Sequence, residues 1–379
     1  MERAELRAVL RSTGCAVEHG DFVFLCDPNA SAAERAEAER QMKSDAAENV
    51  DSRAGWLCVR TGGSGGVVKF ARHDEKTFGA AVAGYCAHFG TTRVNAVDIL
   101  PAHHVSGLMA RVRCAATGGR HLAWDWKRME QGDTPVLQGE DWVISLVPTQ
   151  LQRLLGSVQT VAWLRRFRII FLGGGPIWAE LAELAAAARL PVAPSYGMTE
   201  TAAMITALQP HEFLAGARSS GTVMPHARIA IDPAEGVLTI AGESLFRGYW
   251  PAWRESRAFT TEDLARIDER GHLHILGRRD AMIITGGRKV NPAEVEAVLR
   301  ASGEFADVAV IGLPDREWGE VVVACFSVDR LRVPNFAHAA DALAHYQRPK
   351  RFVAIDDWPR NVQGKLNRAV LREKVMERA

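Results

Sequence analysis

The sequence predicts an α/β protein with a mainly parallel sheet, followed by a smaller α+β domain. In the first part of the 379-residue chain, short apolar runs that end in turn residues alternate with Ala- and Leu-rich helical stretches. After about residue 220 the pattern changes to short alternating strands separated by turns. Together these observations predict a large N-terminal domain, residues 1–279, and a small mobile C-terminal domain, residues 280–379.

The N-terminal elements follow one another regularly. Residues 31–49 have the composition of a charged surface helix, and the apolar run GWLCVR (55–60) is predicted to be a strand. That strand enters a glycine-rich stretch, interpreted as a strand-to-helix turn because residues 77–89 have helical spacing. VNAVDILP, WVISLVP and RIIFLGGGP are predicted to be the next buried strands, the last of them preceding a helix over 178–190.

The C-terminal elements are shorter. RIDERGHLHIL predicts a hairpin with Glu-Arg-Gly at its turn, and Asn291-Pro292 opens a predicted helix with acids in its first turn. The strands ADVAVIGLP and VVVACFSV then complete the small domain.

Bulk composition excludes several classes of function. The formal net charge is +1, which gives no electrostatic case for nucleic acid or a membrane surface as partner. The first residues mix charges with apolar side chains, and no run of 18 apolar residues occurs, so neither a secretory signal nor membrane insertion is expected. Six scattered cysteines without C-x-x-C spacing predict free thiols in a reducing cytoplasm, and the histidines show no metal-binding spacing.

The stretch TGGSGGVVK (61–69) has the composition of a loop that holds phosphate against its backbone. It is not a Walker A loop, because Lys69 is flanked by Val68 and Phe70, and it does not match G-x-G-x-x-G with a later acid. Alone, it fits a plain tight turn equally well. SYGMTET (195–201) combines an aromatic ring for stacking with a carboxylate that can hold Mg²⁺, although a core Tyr196 and a helix N-terminal Glu200 are the simpler reading of that stretch alone.

Five stretches in this order resemble the motifs of the adenylate-forming superfamily: acyl- and aryl-CoA synthetases, adenylation domains and luciferases. They are the glycine loop, the GGGP segment, SYGMTET, the region 260–296 and PRNVQGKLNR (359–368). The resemblance covers roughly residues 55–370. It implies a large N-terminal adenylate-forming domain and a small mobile C-terminal domain, with ATP, Mg²⁺ and CoA as cofactor and co-substrates. The implied reaction joins a small-molecule carboxylic acid to ATP, releases pyrophosphate, and passes the acyl group to a thiol.

The resemblance also implies roles for individual residues. The expected catalytic residues are Lys365, Glu200 and Thr199, with Glu200 also the Mg²⁺ ligand, and Asp280 is the expected hinge. Tyr196 is expected to stack on adenine, and Asp263, with Arg278 as its partner, to bind the ribose hydroxyls. The ATP-binding set comprises Thr61, Ser64, Gly66, Lys69, Gly174, Gly175, Pro176, Tyr196, Gly197, Asp263 and Arg278. The CoA side comprises Gly286, Gly287 and Lys289.

Within that superfamily, LPAHHVSGL, SLVPTQLQRLL and IIFLGGGPI resemble the o-succinylbenzoate–CoA ligases of menaquinone biosynthesis. The resemblance predicts an acyl-substrate set of His104, Ser106, Gly107, Thr149 and Arg153. A substrate with two carboxylates needs a cation for the carboxylate that does not react, and Arg153 is the candidate. An exposed helix residue is the alternative interpretation of Arg153.

The sequence departs from the family pattern in three places. Gly62, Gly65 and Val68 replace the hydroxyl residues and proline usual in the phosphate loop, and Glu262 replaces the glycine usual before the ribose-binding acid. About sixty residues precede the loop, fewer than in the family, which predicts a shortened N-terminal subdomain. Three alternatives stay open: another aryl or acyl acid with a carrier protein as acceptor, a non-catalytic acyl- or partner-binding relative, and self-association as a homodimer.

Overall fold

The computed structural model describes residues 1–43, 55–61, 69–328, 334–360 and 366–378. Within these ranges the chain forms four sheets and twelve α-helices. The strands are β1 (Ala16–His19), β2 (Phe22–Leu25), β3 (Leu57–Arg60), β4 (Phe70–His73), β5 (Asn95–Asp98), β6 (His121–Ala123), β7 (Trp142–Leu146), β8 (Ile169–Leu172), β9 (Val192–Met198), β10 (Ala203–Ala207), β11 (Thr222–Val223), β12 (Ala227–Ile231), β13 (Val237–Gly242), β14 (Gly248–Tyr249), β15 (Ala258–Ile267), β16 (Leu273–Arg278), β17 (Ile283–Thr285), β18 (Arg288–Val290), β19 (Val308–Asp315), β20 (Gly319–Ser327) and β21 (Arg351–Ile355). The helices are α1 (Arg3–Arg11), α2 (Ala32–Met42), α3 (Glu75–Phe89), α4 (Val105–Thr117), α5 (Trp126–Glu130), α6 (Pro148–Leu155), α7 (Val158–Leu164), α8 (Ala179–Ala187), α9 (Pro210–Leu214), α10 (Pro292–Ala301), α11 (Phe336–Ala340) and α12 (Arg368–Met376).

The seven-stranded sheet, in the order β11-β10-β9-β8-β7-β5-β6, is the centre of the N-terminal region. Its strands β9, β8, β7, β5 and β6 run parallel, whereas β10 and β11 are added antiparallel. Both faces are buried: along β8, Ile169 and Phe171 pack on one side, and Ile170 and Leu172 on the other. This two-sided burial explains why these strands are continuous apolar runs in the sequence.

Helices cover this sheet on both sides. The face that carries Ile170 and Leu172 packs against α6, α7 and α8, and the face that carries Ile169 and Phe171 packs against α3 and α4. The predicted α/β architecture is therefore confirmed for this part of the chain, with the helix predicted over 178–190 observed as α8.

The other N-terminal sheets correct the expectation of mainly parallel sheets. The order β1-β2-β3-β4-β14 contains one parallel pair, β2–β3, and the four-stranded sheet β12-β13-β15-β16 is antiparallel throughout. The predicted hairpin RIDERGHLHIL is confirmed as the β15–β16 turn. Short chain reversals join most of these neighbouring strands, which requires antiparallel pairing.

One local prediction was wrong. The glycine loop does not lead directly into a helix, because residues 70–73 form β4, which pairs antiparallel with β3 before α3 begins. Arg72 and His73 gave this segment a polar appearance, yet both side chains are buried. The loop therefore closes a hairpin, with Thr61 N donating to Lys69 O at 2.8 Å.

The C-terminal region has its own sheet, β18-β17-β20-β19, with β21 added parallel to β20. One face packs against α10 and α11, and the other packs against α12. Asn291 caps α10 by accepting a hydrogen bond from Ala293 N, and Pro292 occupies its first turn, as the sequence predicts. The domain boundary itself stays a prediction. No helix within the described ranges is long and apolar enough to cross a membrane.

Helix α3 provides a matched test of packing on the sheet. A Cβ at Gly84 would lie 1.8 Å from His226 Nδ1, whereas a Cβ at Gly79 would have no neighbour within 4 Å. We expect Gly84→Ala to lower the free energy of unfolding by about 1–3 kcal/mol through overpacking. Gly79→Ala should raise it by roughly 0.5–1 kcal/mol, because alanine favours the helix. Urea unfolding measures both, and equal effects at the two positions would contradict this account of the packing.

Candidate active site

Four of the segments that the sequence analysis singled out leave the seven-stranded sheet at one edge. The carboxyl ends of its parallel strands lie at the same edge, and the chain segments after β5, β7, β8 and β9 all leave there. Neighbouring segments are in contact: a Cβ at Gly175 would lie 3.9 Å from the Pro148 ring, and one at Gly173 would lie 3.1 Å from Ser195 Oγ. Gly174 has a positive φ of 79°, a backbone conformation that suits glycine.

Tyr196 lies at this edge and is bound to the acid predicted to hold ribose. Its phenol donates to Asp263 Oδ2 at 2.5 Å, and Arg278 NH1 donates to Asp263 Oδ1 at 3.2 Å. Asp263 and Arg278 are directly paired in the β15–β16 register. Burial, together with the neighbouring Asp263 carboxylate, raises the pKa of Tyr196, so the phenol stays a neutral donor. The predicted partnership of Asp263 and Arg278 is present as a contact, and its ribose role stays a prediction.

Glu200 lies in a short 3₁₀ turn, Thr199–Thr201, between β9 and β10. The backbone leaves this turn through two residues with positive φ, Ala202 and Ala203. Glu200 is only 9% exposed, and Tyr249 donates to its Oε1 at 2.6 Å. Phe246 N donates to the Glu200 carbonyl at 2.7 Å, so both the backbone and the side chain of Glu200 are held by the segment around β14.

Lys69 directly precedes β4, the strand that approaches the turn of Glu200. Its Nζ lies 5.5 Å from the centre of the Tyr249 ring, a cation–π distance. Tyr249 lies opposite Ala71 in the β4–β14 pairing, so one aromatic side chain contacts both Lys69 and Glu200. Residues 62–68, including the predicted phosphate contacts Ser64 and Gly66, lie outside the described residues.

Sequence reasoning missed the polar side chains that support this turn. His73 is fully buried, and its Nε2 lies 2.8 Å from the Thr199 carbonyl, while Nδ1 lies 3.1 Å from Thr77 Oγ1. Because a carbonyl only accepts, Nε2 must carry the proton. Burial lowers the pKa of His73 to about 4, which keeps the ring neutral. The one feature of the sequence that could have indicated His73 was its position four residues after Lys69. No known residue spacing assigns a function to a histidine at that position.

A partly buried ion pair lies next to His73. Arg247 Nε donates to Asp74 Oδ2 at 2.8 Å, and Asp74 also caps α3 through Thr77 N. Burial opposes ionisation of Asp74, but the hydrogen bonds from Arg247 and Thr77 N outweigh it and lower its pKa. The pair ties the start of α3 to the segment that carries Tyr249.

Comparison with known proteins agrees with this geometry. Residues 3–250 match the model of the AMP-binding enzyme family, and residues 294–365 match that of the AMP-binding enzyme C-terminal domain. The chain belongs to the AMP-binding enzyme family. The resemblance to adenylate-forming enzymes in the sequence analysis is therefore confirmed.

Individual relatives give the extent of the likeness. The chain is 31% identical to the 2-succinylbenzoate–CoA ligase of Geobacillus kaustophilus, over 73% of this chain and 60% of the relative. It is 30% identical to that of Listeria monocytogenes serotype 4b, over 85% of this chain and 70% of the relative. This chain thus spans about 60% of the length of the Geobacillus relative.

Solved structures show the same likeness. The o-succinylbenzoate CoA synthetase of Bacillus subtilis, in complex with its acyl-adenylate intermediate, is similar with a TM-score of 0.71 and 28% identity. That likeness covers 85% of this chain and 70% of the synthetase. ATP-bound MatB from Rhodopseudomonas palustris is similar with a TM-score of 0.73 and 28% identity, over 84% of this chain and 68% of MatB.

The residues predicted to contact the acid lie at the start of α4 and along α6 in this member of the family, with Arg153 in the last turn of α6. His104 precedes the first residue of α4, its ring 4.4 Å from that of His103, and Thr149 lies in the first turn of α6. Gly107 has a packing role, since a Cβ there would lie 2.5 Å from the Pro101 carbonyl oxygen. Arg153 is half exposed and forms an ion pair with Glu130 at the end of α5.

The predicted hinge is surrounded by ion pairs. Arg278 donates to both Asp280 oxygens, at 2.8 and 2.6 Å. Arg279 donates to both oxygens of Glu262, the residue that replaces the usual glycine, at 2.9 and 3.0 Å. These side chains are about half exposed, and ion pairs at the protein surface add little to stability.

Two further predictions concern the C-terminal region. Gly286 and Gly287 form the β17–β18 turn, and Lys289 is an exposed residue of β18. A Cβ at Gly286 would lie 2.8 Å from the Trp318 ring. Lys365 lies outside the described residues, although Arg360 and Leu366 form a bridge on either side of its segment.

The described residues fit a magnesium ion that is carried mainly by its nucleotide. They contain no group of three or more His, Cys, Asp or Glu that could hold a metal by itself. Magnesium typically takes one or two carboxylates together with substrate phosphates and water. Glu200, held at one oxygen by a neutral phenol, is a suitable single carboxylate.

The neutral His73 predicts a loss of stability in mild acid. Its pKa of about 4 lies below the value of about 6.5 in an unfolded chain, so between these values only the unfolded state takes up the proton. This contribution to stability is full above pH 6.5 and falls as the pH decreases, by roughly 2 kcal/mol at pH 5.

Urea unfolding between pH 7 and pH 4.5 measures this effect. In His73→Gln, whose amide can still donate to the Thr199 carbonyl, the fall with pH should be smaller than in the wild type. The exposed His19 provides the matched control, His19→Gln. An identical pH dependence in the two variants would contradict the assignment to His73.

Proposed function

We propose that this chain is an AMP-forming acid–thiol ligase. It joins a carboxylate to ATP, giving an acyl-adenylate and pyrophosphate, and then transfers the acyl group to CoA. The observation that carries the proposal is the assembly of Lys69, Glu200 and Tyr249 beside the Tyr196–Asp263–Arg278 group at one sheet edge. The relatives named 2-succinylbenzoate–CoA ligase support 2-succinylbenzoate as the acid. A role in menaquinone biosynthesis is part of this proposal.

The arrangement suits attack of a carboxylate on the α-phosphorus of ATP. That step brings two anions together and develops charge on phosphoryl oxygens and on the pyrophosphate that leaves. Lys69 supplies a positive charge from the phosphate-loop side, and Lys365 is proposed to supply one near the reacting carboxylate. Bound Mg²⁺ supplies further charge neutralisation at the phosphates. The attacking carboxylate is already ionised at neutral pH, so the first step needs no general base.

The Tyr196–Asp263–Arg278 group is proposed to recognise the nucleotide. Asp263 accepts hydrogen bonds from Tyr196 and Arg278, which fixes its carboxylate while leaving it able to accept from ribose hydroxyls. Thr199, whose carbonyl is held by His73, is proposed to contact the α-phosphate. The glycine-rich loop and Gly174, Gly175, Pro176 and Gly197 complete the proposed nucleotide site.

CoA is proposed as the acceptor, at the C-terminal region. The Gly286-Gly287 turn lies against Trp318, and Lys350 Nζ is 4.8 Å from the centre of that ring. Arg288 lies over Tyr346 at 4.8 Å. Aromatic faces with adjacent cations suit a thiol that carries an adenine nucleotide and phosphates. A rotation of the small C-terminal domain about Asp280 would move Lys365 away from the acyl-adenylate and bring this surface to it.

The decisive assay measures pyrophosphate release by the purified protein with 2-succinylbenzoate, Mg-ATP and CoA. We expect turnover, and Lys365→Ala should slow adenylation by about 10²-fold or more, while transfer from supplied acyl-adenylate to CoA is spared. Equal losses in both half-reactions would contradict the proposed domain swing.

The other outcomes separate the competing functions. Turnover with another aryl acid alone would overturn the substrate assignment. Faster acylation of a carrier protein than of CoA would identify a carrier-loading enzyme. Absence of Mg-ATP binding in calorimetry would identify a non-catalytic relative and overturn the ligase assignment.

Arg153 is proposed to bind the carboxylate of 2-succinylbenzoate that does not react. The ion pair with Glu130 would then compete with the substrate for this guanidinium. We expect Arg153→Gln to raise KM for the diacid about tenfold, the effect of losing a hydrogen bond to a charged group. KM for an analogue in which hydrogen replaces the unreacted carboxylate should not change.

Glu130→Gln is the complementary variant. It releases Arg153 from its partner and should lower KM for the diacid, again without effect on the monoacid. If Arg153→Gln changed KM for the diacid and for the monoacid equally, Arg153 would have only a structural role and would not bind the unreacted carboxylate.

A further inference from the structure

Tyr249 occupies a position that the predicted roles leave unexplained. Its phenol donates to Glu200 Oε1 at 2.6 Å, and its ring faces Lys69 Nζ, 5.5 Å from the ring centre. Neither the phosphate-loop motif nor SYGMTET contains this tyrosine. It is nevertheless the side chain that contacts both the cation of the first motif and the acid of the second.

The two charges on either side of Tyr249 would attract each other. Glu200 is buried, and among the described residues no Lys, Arg or His forms an ion pair with it. Lys69 likewise forms no ion pair within the described part of the chain, and its ammonium lies on a long flexible stem. A buried carboxylate strongly favours a cationic partner, because an uncompensated charge in a protein interior is costly.

A direct Lys69–Glu200 ion pair would block the site. Both residues would then be engaged with each other, and an incoming nucleotide with its metal would have to break that pair before binding. The phenol of Tyr249 gives Glu200 a strong hydrogen bond without adding charge, and the ring gives Lys69 a weaker cation–π contact.

We propose that Tyr249 is a positioning residue that keeps Lys69 and Glu200 apart, so that both charges are available to the nucleotide phosphates and their metal. The backbone supports this role. Tyr249 is held opposite Ala71, and Trp250 N donates to Phe70 O at 2.8 Å, so the ring is fixed beside β4, which directly follows Lys69. The ring also packs against Phe246, with centroids 4.9 Å apart. The inference rests on the proposed nucleotide-binding function, but its first test does not require activity.

The first experiment measures the accessibility of Lys69 in protein without nucleotide or metal. An amine-reactive reagent is applied, and modification of Lys69 is followed by peptide mass spectrometry, with the exposed Lys127 in the same molecule as the internal standard. In Tyr249→Phe, which keeps the ring but loses the hydroxyl, Glu200 is free to pair with Lys69. We expect modification of Lys69 to slow by about threefold or more, as for an amine that gains an ion pair.

Two further variants test whether the slower modification of Lys69 results from pairing with Glu200. Adding Glu200→Gln to Tyr249→Phe removes the carboxylate, so the reactivity of Lys69 should return to that of the wild type. Tyr85→Phe removes a buried phenol elsewhere in the N-terminal region and should leave Lys69 unchanged. Unchanged Lys69 reactivity in folded Tyr249→Phe would overturn the proposal, with thermal unfolding used to confirm that the variant is folded.

The second experiment is a double-mutant cycle on nucleotide binding, with Mg-ATP as the probe in calorimetry. Tyr249→Phe should weaken binding about tenfold in the wild-type background, because the nucleotide and its metal must then break a Lys69–Glu200 ion pair. In a Lys69→Gln background the same change should have an effect of less than about twofold, because no collapse onto Lys69 can occur. Equal effects in both backgrounds would show that Tyr249 has only a structural role, which would overturn the proposal.

These readouts separate this inference from the proposed function. If the wild type binds Mg-ATP but does not use 2-succinylbenzoate, the substrate proposal fails while the cycle still decides the role of Tyr249. If the wild type does not bind Mg-ATP, the ligase proposal fails, and the labelling experiment alone decides whether Tyr249 separates the two charges.

Discussion

The antiparallel pairing of β4 with β14 joins parts of the chain that are far apart in sequence and places them around one point. Gly248 lies opposite Arg72, and Tyr249 lies opposite Ala71. Hydrogen bonds from Arg247 N to Arg72 O and from Trp250 N to Phe70 O extend the pairing at both ends, at 2.7 and 2.8 Å. Lys69 and His73 flank one strand and Tyr249 is carried by the other, so this short pairing sets the separation between the phosphate loop and the turn of Glu200.

Buried polar contacts make this pairing specific. The Arg72 guanidinium donates to Gly55 O at 3.0 Å and to Pro251 O at 3.1 Å, and the Asp74–Arg247 ion pair lies alongside. Gly248 has φ of 140°, and a Cβ there would lie 2.6 Å from the Ala252 carbonyl oxygen, so glycine is required at that position. Buried ionic groups of this kind add little net stability, but removing one partner would leave an uncompensated charge. They are better understood as fixing the register of the two strands.

The sequence predicts well what depends on local pattern. The parallel strands of the central sheet appear as apolar runs because both faces are buried, and the β15–β16 hairpin follows from alternation around a glycine turn. It predicts poorly what depends on distant partners. Strand β4 was missed because Arg72 and His73 find their partners in segments that no spacing connects to them.

The same distinction, between local pattern and distant partners, applies to the residues of the candidate site. Residues within motifs, such as Tyr196, Glu200 and Asp263, could be singled out because their order along the chain is itself the signal. Tyr249 and His73 contact residues of other motifs, and nothing in their own sequence neighbourhood indicates this. The Arg153–Glu130 pair depends on how α5 packs beside α6, which residue spacing does not specify.

The two acids of the site are stabilised in the same way. Asp263 and Glu200 are both buried, and each accepts a hydrogen bond from a tyrosine whose pKa is raised by burial and by that acid. A neutral donor stabilises a carboxylate without cancelling its charge, whereas a cation in the same place would neutralise it. Asp263 has Arg278 as an additional partner, which suits an acid that accepts from neutral hydroxyl groups. Within the described residues, the side chain of Glu200 has only the phenol of Tyr249 as a hydrogen-bond partner, which suits an acid whose full negative charge is needed for a metal. The difference in partners between these two acids therefore follows the difference between the ligands proposed for them.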